Sequence, residues 1–308
     1  MKGRAMRFLR LMRPSHWTKN VFVFAALVFG QRLSGTAEEV LVAVAGAVAG
    51  FVCFCLASSA IYIFNDIIDR EADRSHPEKR HRPIASGAVG VGSAAALSVI
   101  CAAGGIGGGF VLDGGFGRVV VGYILLMALY SLVLKRAMIL DCVVISIGFC
   151  LRAVGGAMAV KVSISPWLII CTFALCLFVA FGKRRSEIAQ LGENSEQFRK
   201  TLGGYTPELL AHMLDVTSGL AIVCFLLYAT DERTAAVVTD KLIYTTPVVL
   251  YCVFRFSALV QKGRYSSPVE LIHHDLPFQI GVILWGLLCI GIVYADKLGI
   301  DWGRVLAY

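Results

Sequence analysis

The residues of this 308-residue chain best suited to chemistry are Asn65, Asp66, Asp69 and Asp73. In a helix the three aspartates lie three and four residues apart and share one face, with Asn65 a turn away from Asp69. Such a row of carboxylates repels itself unless a cation sits on it. The usual partner is a hard divalent ion bound through oxygen, with its remaining positions open to phosphate oxygens. Arg70, Arg74, Arg80 and Arg82 follow directly. They would bring charge and forked donors to the same phosphates. The competing reading is a solvated helix end in which acids and bases neutralise one another. An aligned acidic row where an apolar run meets water argues against it.

The elements that must position this row are membrane helices. Charged residues make up 16% of the chain and hydrophobic ones 57%, and the mean hydropathy is strongly positive. Several apolar runs approach the length needed to cross a bilayer. A soluble globule is thereby excluded, and the expected fold is all-α, a polytopic bundle of transmembrane helices forming one domain over residues 1–308. Spans are expected at about 20–34, 39–64, 90–112, 115–134, 138–160, 165–182, 209–229, 241–260 and 276–295, nine in all. The amino-terminal tail and alternate connections carry most of the bases: Arg70 to Arg82, Lys135 with Arg136, Lys183 to Arg185 with Arg199 and Lys200, and Lys262 with Arg264. The opposite side holds only scattered bases, among them Arg32, Arg118, Lys161, Arg233 and Lys297. The positive-inside rule then puts the amino terminus and the acidic row in the cytoplasm of a multi-pass protein of the inner (cell) membrane, with the loops forming a cytoplasmic cap.

Residues 1–19 interleave Lys2, Arg4, Arg7, Arg10 and Arg13 with apolar residues, the pattern of a basic helix lying on a membrane surface. A signal peptide competes, but no convincing small-residue cleavage site follows, so the segment is expected to be retained. The net charge of +8 is spread over short loops, which favours lipid and phosphate as partners and excludes nucleic acid. The ten cysteines fall inside apolar runs and read as packing residues, with neither zinc nor a disulfide expected. The Gly-rich run from Ala102 to Gly109 suits close helix packing in lipid. Pro247 reads as a kink within the eighth span.

Polar residues inside apolar runs are costly and usually face a cavity, which nominates Asp141 and Arg152, although a structural pair competes. His212, Asp215 and Arg255 are further residues of this kind. Lys183, Arg184 and Glu187 share a face if the sixth span continues far enough. That mostly basic cluster looks built to hold an anion; the competing reading is a topological anchor.

Together these phrases resemble the UbiA superfamily of intramembrane transferases, whose first signature, Asn-Asp-x-x-Asp-x-x-x-Asp, is matched by Asn65, Asp66, Asp69 and Asp73. The resemblance covers nearly the whole chain. It is carried also by Arg13-Pro14-x-x-Trp17-x-Lys19-Asn20, by His76-Pro77-x-Lys79-Arg80-x-Arg82-Pro83-Ile84-Ala85, by Leu151-Arg152-Ala153 and by Gly182-Lys183-Arg184-x-x-Glu187. The nearest likeness is to the branch that phosphoribosylates a polyprenyl phosphate. What the superfamily implies is a diphosphate held by magnesium (Mg2+) on the acidic face and a lipid in a cavity open to the bilayer. Members that prenylate aromatic rings carry a second acidic motif after the sixth helix. Here Lys183, Arg184 and the single carboxylate Glu187 stand in its place, which favours an extra phosphate over an extra metal.

The resemblance therefore implies transfer of 5-phosphoribose from phosphoribosyl diphosphate to a polyprenyl phosphate, for arabinan precursors of a cell envelope. Asn65, Asp66, Asp69 and Asp73 would hold the metal. Lys19, Lys79, Arg80, Arg82, Lys183 and Arg184 would bind phosphates, Asp141 and Arg152 would contact substrate, and Glu187 would accept from a ribose hydroxyl or orient Lys183. A prenyltransferase joining a prenyl diphosphate to an aromatic acceptor is the alternative, and a transporter a more distant one, disfavoured by the lack of interrupted repeats. The expected partners are the two substrates and the membrane, with a homo-oligomer left open.

Overall fold

The computed structural model describes residues 2–77, 79–191, 200–263 and 274–295. They form helices with no strand among them. Eight helices are long and apolar enough to cross a membrane, so the chain is a multi-pass α-helical membrane protein. By packing it divides into two compact units, Met1–Ala25 with Leu41–Val162, and Ala26–Val40 with Ser163–Tyr308.

The first unit opens with α1 (Lys2–Met12) and a 3-10 segment, Pro14–Phe24. It continues through α3 (Ala37–Ile68), α4 (Arg70–Ser75), α5 (Val91–Leu112), α6 (Gly114–Leu132) and α7 (Leu140–Ala159). The span expected at 20–34 is not one continuous helix, because the 3-10 run gives way to a short α2, Ala25–Phe29. Side-chain bonds explain why the tighter winding persists over eleven residues, far beyond the usual three or four. Trp17 Nε1 donates to Ser59 Oγ at 3.1 Å, and Asn20 Nδ2 donates to Ser58 Oγ at 3.3 Å, so the segment is tied to α3 at two points. Phe8 and Leu11 of α1 pack against Ile63, Ile84, Val89 and Ala94, while Met6 and Leu9 stay exposed.

Lipid tails are as apolar as leucine, so close backbone approach has to hold these helices together. A Cβ on Gly105 would lie 3.0 Å from the Cys53 carbonyl oxygen, so α5 meets α3 through bare glycine, as the Gly-rich run predicts. Among the described glycines the tightest approach lies between α7 and the 3-10 segment, where a Cβ on Gly156 would sit 2.1 Å from the Val23 carbonyl oxygen. Gly156→Ala should therefore cost about 1–3 kcal/mol, because backbone has no room to yield. A lowered melting temperature in detergent checks this, and an unchanged one contradicts it. Between these contacts sits a core of Phe54, Phe116, Val120, Tyr123 and Met127, with Phe54 edge-on to both Phe116 and Tyr123.

The second unit holds α2, α8 (Pro166–Leu191), α9 (Pro207–Thr230), α10 (Glu232–Val237), α11 (Thr246–Gln261) and α12 (Leu276–Val293). Pro247 stands in the first turn of α11, where its missing N–H costs nothing, so it starts that helix and does not kink it. Asp275 caps α12 by accepting from Phe278 N at 2.9 Å and pairs with Arg255 of α11 through two bonds of 3.1 and 2.8 Å. Tyr294 Oη donates to the Val28 carbonyl at 3.0 Å and Gln31 Nε2 to that of Val238 at 2.6 Å, which fixes the chain around α2 within this unit. All ten cysteines are free thiols.

Candidate active site

The acidic row falls where α3 breaks into α4. Asp69 sits at the break, but its N–H still bonds the Asn65 carbonyl at 2.9 Å and the Asp73 N–H bonds the Asp69 carbonyl at 2.8 Å, so helical spacing carries across. The aspartates nevertheless separate into two groups. Asp66, only 3% exposed, accepts from Arg13 Nη2 at 2.5 Å and from Arg82 Nη1 at 3.1 Å; the same Arg82 nitrogen reaches Asp73 Oδ2 at 2.7 Å. Asp69, with its side chain 30% exposed, is held by Lys135 Nζ at 2.6 and 2.8 Å and by Asn65 Nδ2 at 2.9 Å. Lys135 also reaches Asn65 Oδ1 at 3.2 Å.

Three basic side chains thus match three carboxylates, and no three acidic, histidine or cysteine side chains gather as a metal-binding group among the described residues. Cations divide the row between them: Arg82 bridges Asp66 and Asp73, and Lys135 holds Asp69 with Asn65. The donor set still fits a hard ion: carboxylate and amide oxygens, with two of the three aspartates buried. Arg13 and Lys135 were missed as partners of this row. Arg13 lies in a phrase singled out on other grounds, and Lys135 read only as a topology signal. Arg13 carries a second mark, a left-handed backbone (φ 52°) between α1 and the 3-10 segment, a strained conformation that aims its guanidinium at Asp66.

Lys79 and Arg80 stand on a 3-10 turn, Lys79–His81, with Arg80 exposed and donating to the His81 ring at 3.3 Å. Arg74 donates to the Ala85 carbonyl and to Glu71, which keeps it away from the aspartates.

Deeper in this unit Arg152 is buried in α7. It donates to Asn20 Oδ1 at 2.7 Å, to the Gly148 carbonyl at 2.7 Å and to Tyr123 Oη at 2.8 Å. Its guanidinium also lies 4.6 Å from the Tyr123 ring centroid and 5.1 Å from that of Phe149. Asp141 is fully buried in the first turn of the same helix but forms no ion pair with Arg152. Lys19, on the 3-10 segment, has its pKa lowered to about 8 by burial, and further by the charges of Arg152 and Arg13. Asn20 and Tyr123 were not expected as site residues; a polar aromatic inside an apolar run was the only signal for Tyr123.

In the second unit α8 continues beyond the expected end of its span, so Lys183, Arg184 and Glu187 do stand on one helix. Arg184, 1% exposed, is bonded to Glu187, and the 44%-exposed Lys183 lies 3.7 Å from the same carboxylate. Glu187 therefore orients both cations. His212 and Asp215 are exposed on α9.

The fold has clear precedents. A UbiA homolog from Archaeoglobus fulgidus, solved bound to GPP and Mg2+, superposes with a TM-score of 0.70 at 15% identity, covering 94% of this chain and 98% of that one. Digeranylgeranylglyceryl phosphate synthase superposes at 0.68 with 15% identity over 95% and 99% of the two chains. The architecture is that of the UbiA-type intramembrane proteins. Residues 20–270 match the UbiA prenyltransferase family model, and the chain belongs to that family. It is 33% identical over 306 residues to the decaprenyl-phosphate phosphoribosyltransferase of Corynebacterium glutamicum, spanning 95% of this chain and 88% of the relative. To the enzyme of that name from Mycolicibacterium smegmatis it is 31% identical, over 90% and 89% of the two chains.

Proposed function

We propose that this protein transfers 5-phosphoribose from phosphoribosyl diphosphate to a polyprenyl phosphate, for cell-envelope arabinan precursors. One observation carries the reading: nearly the whole chain aligns with decaprenyl-phosphate phosphoribosyltransferases. The cations of α8 agree with it, standing where ring-prenylating members of the superfamily have a second acidic motif. In the reaction the bond from the anomeric carbon to the diphosphate oxygen breaks, and a bond to the lipid phosphate oxygen forms. That nucleophile is already ionised, so no strong general base is needed. Asp66, Asp69, Asp73 and Asn65 would hold magnesium, which when bound supplies neutralising charge to the departing diphosphate. Arg13, Arg82 and Lys135 stand beside the same carboxylates and offer donors to diphosphate oxygens, with Lys79 and Arg80 on the adjoining turn. Asp141, in the first turn of α7, would contact substrate. Lys183 and Arg184 bind the donor's other phosphate, and Glu187 holds them in place.

The test is direct. Purified protein given labelled phosphoribosyl diphosphate and a polyprenyl phosphate should produce labelled lipid and free diphosphate, and chelating divalent ions should stop it. No labelled lipid with both substrates and magnesium present would overturn the reading.

A pH dependence follows from Lys19. Its ammonium is charged below about pH 8 and neutral above. kcat/KM for the lipid phosphate should therefore fall as pH rises through about 8, since that ratio reports the free enzyme. Lys19→Arg should remove the fall; an unchanged profile in that variant would assign it to another group.

We also propose that the acidic row faces the cytoplasm of a cell-membrane protein, on the asymmetry of bases between alternate loops. A cysteine placed at Arg233 should react with an impermeant thiol reagent in intact cells, and one at Arg80 should not. The opposite pattern would reverse the topology.

A further inference from the structure

We infer that Lys19 and Arg152, brought together in the first unit by the 3-10 segment and α7, seat the phosphate monoester of the acceptor lipid, on groups other than the carboxylate row. This takes the acceptor from the proposed function and assigns it a place.

Each aspartate of the row already meets a basic side chain: Arg13 and Arg82 at Asp66, Arg82 at Asp73, Lys135 at Asp69. Among the described residues Lys19 and Arg152 form no ion pair with a carboxylate. All three of Arg152's bonds go to neutral oxygens, on Asn20, Gly148 and Tyr123. Two neighbouring positive charges withdrawn from water without a counter-charge cost free energy; hydrogen bonds and two aromatic rings offset part of it at Arg152, and an anion would offset more. A purely structural role would be served as well by a neutral donor at either position.

The geometry is prepared for a ligand. Asn20, which orients Arg152, is itself held by Ser58 Oγ and Cys55 Sγ at 3.3 Å each. Arg152 is thus fixed on the Asn20 side, yet a guanidinium with three bonds has donors to spare. The depressed pKa of Lys19 is what two adjacent cations and burial produce when no anion is present to offset them.

The charge count selects the ligand. A phosphate monoester carries close to two negative charges at neutral pH, whereas the phosphodiester of a bulk phospholipid carries one. Two cations match the former. A polyprenyl monophosphate presents that headgroup on an apolar chain that stays in the bilayer.

The experiment measures binding without donor or turnover, on the full chain in nanodiscs, with a polyprenyl monophosphate as probe. Lys19→Gln should weaken its binding tenfold or more and Lys19→Arg should restore most of it. Neither should change the affinity for phosphoribosyl diphosphate more than about twofold, the spread expected when one charge-assisted contact is lost from one ligand only. Arg152→Lys, which keeps the charge and loses the fork, should give an intermediate loss if it melts as the wild type does. Unchanged binding in Lys19→Gln overturns the inference, as does a loss that falls on phosphoribosyl diphosphate instead. Competition by phosphatidylglycerol as effective as the monophosphate would make the pair a general lipid anchor, and equal competition by inorganic phosphate would remove the lipid from the assignment; either result overturns it. A wild-type protein that binds the lipid monophosphate at this pair but transfers no sugar would refute the proposed function and leave the seat standing.

Discussion

Asp69→Asn is expected to reduce turnover by roughly 10³-fold while the melting temperature stays at the wild-type value. The size follows from the several kcal/mol of charge stabilisation that a bound divalent ion lends a leaving diphosphate. The unchanged stability follows from exposure: Asp69 is 30% accessible, and its partners Lys135 and Asn65 are also part-exposed, so water replaces what the neutral amide no longer offers. Asp66→Asn should lose activity to a similar degree but also lose stability, by about 2 kcal/mol. It leaves Arg13 and Arg82 facing a neutral group at a site only 3% exposed, and partial water contact of both guanidiniums keeps the cost below that of a fully buried pair. Parallel turnover and melting measurements separate the two variants. Magnesium-dependent activity retained in a folded Asp69→Asn protein would remove the row from the chemistry.

Lys183→Ala is expected to raise KM for the sugar donor at least tenfold, with little change in KM for the lipid phosphate. A phosphoribosyl donor carries a phosphate at each end, so a site for it needs a fixed cation besides those near the row, and losing one charged contact costs about 1.5–3 kcal/mol. The structure makes Lys183 the cleaner of the two tests. It is 44% exposed, whereas Arg184 is buried against Glu187, so Arg184→Ala mixes lost binding with the cost of breaking a buried contact. A Lys183→Ala enzyme with wild-type donor KM would make the cluster a topological anchor.

Much of this was legible in the sequence because a bilayer leaves few choices: a span must be helical, long and apolar. Expected edges such as 90–112 and 276–295 fall within a few residues of Val91–Leu112 and Leu276–Val293. The first expected span failed for a reason hydropathy does not register. Trp17 and Asn20 bond to serines of α3, and those contacts select a 3-10 path for residues whose composition suits an α-helix. Pro247 was misplaced because a proline inside an apolar run looks alike at a kink and at a first turn. At the site, residue types showed where charge gathers but not how it pairs. Lys135 meets Asp69 from sixty-six positions away, and no local spacing announces such a contact. Arg152 was found because a charge inside a span is conspicuous, while its partners Asn20 and Tyr123 were not, being ordinary near a membrane interface.

The most direct measurement is a donor competition. Purified protein, magnesium and a polyprenyl phosphate are supplied with equal concentrations of phosphoribosyl diphosphate and geranyl diphosphate, an aromatic acceptor is added, and the products are read by mass spectrometry. The account predicts a phosphoribosylated lipid phosphate and no prenylated aromatic. A prenylated aromatic with the lipid phosphate left unmodified would contradict it.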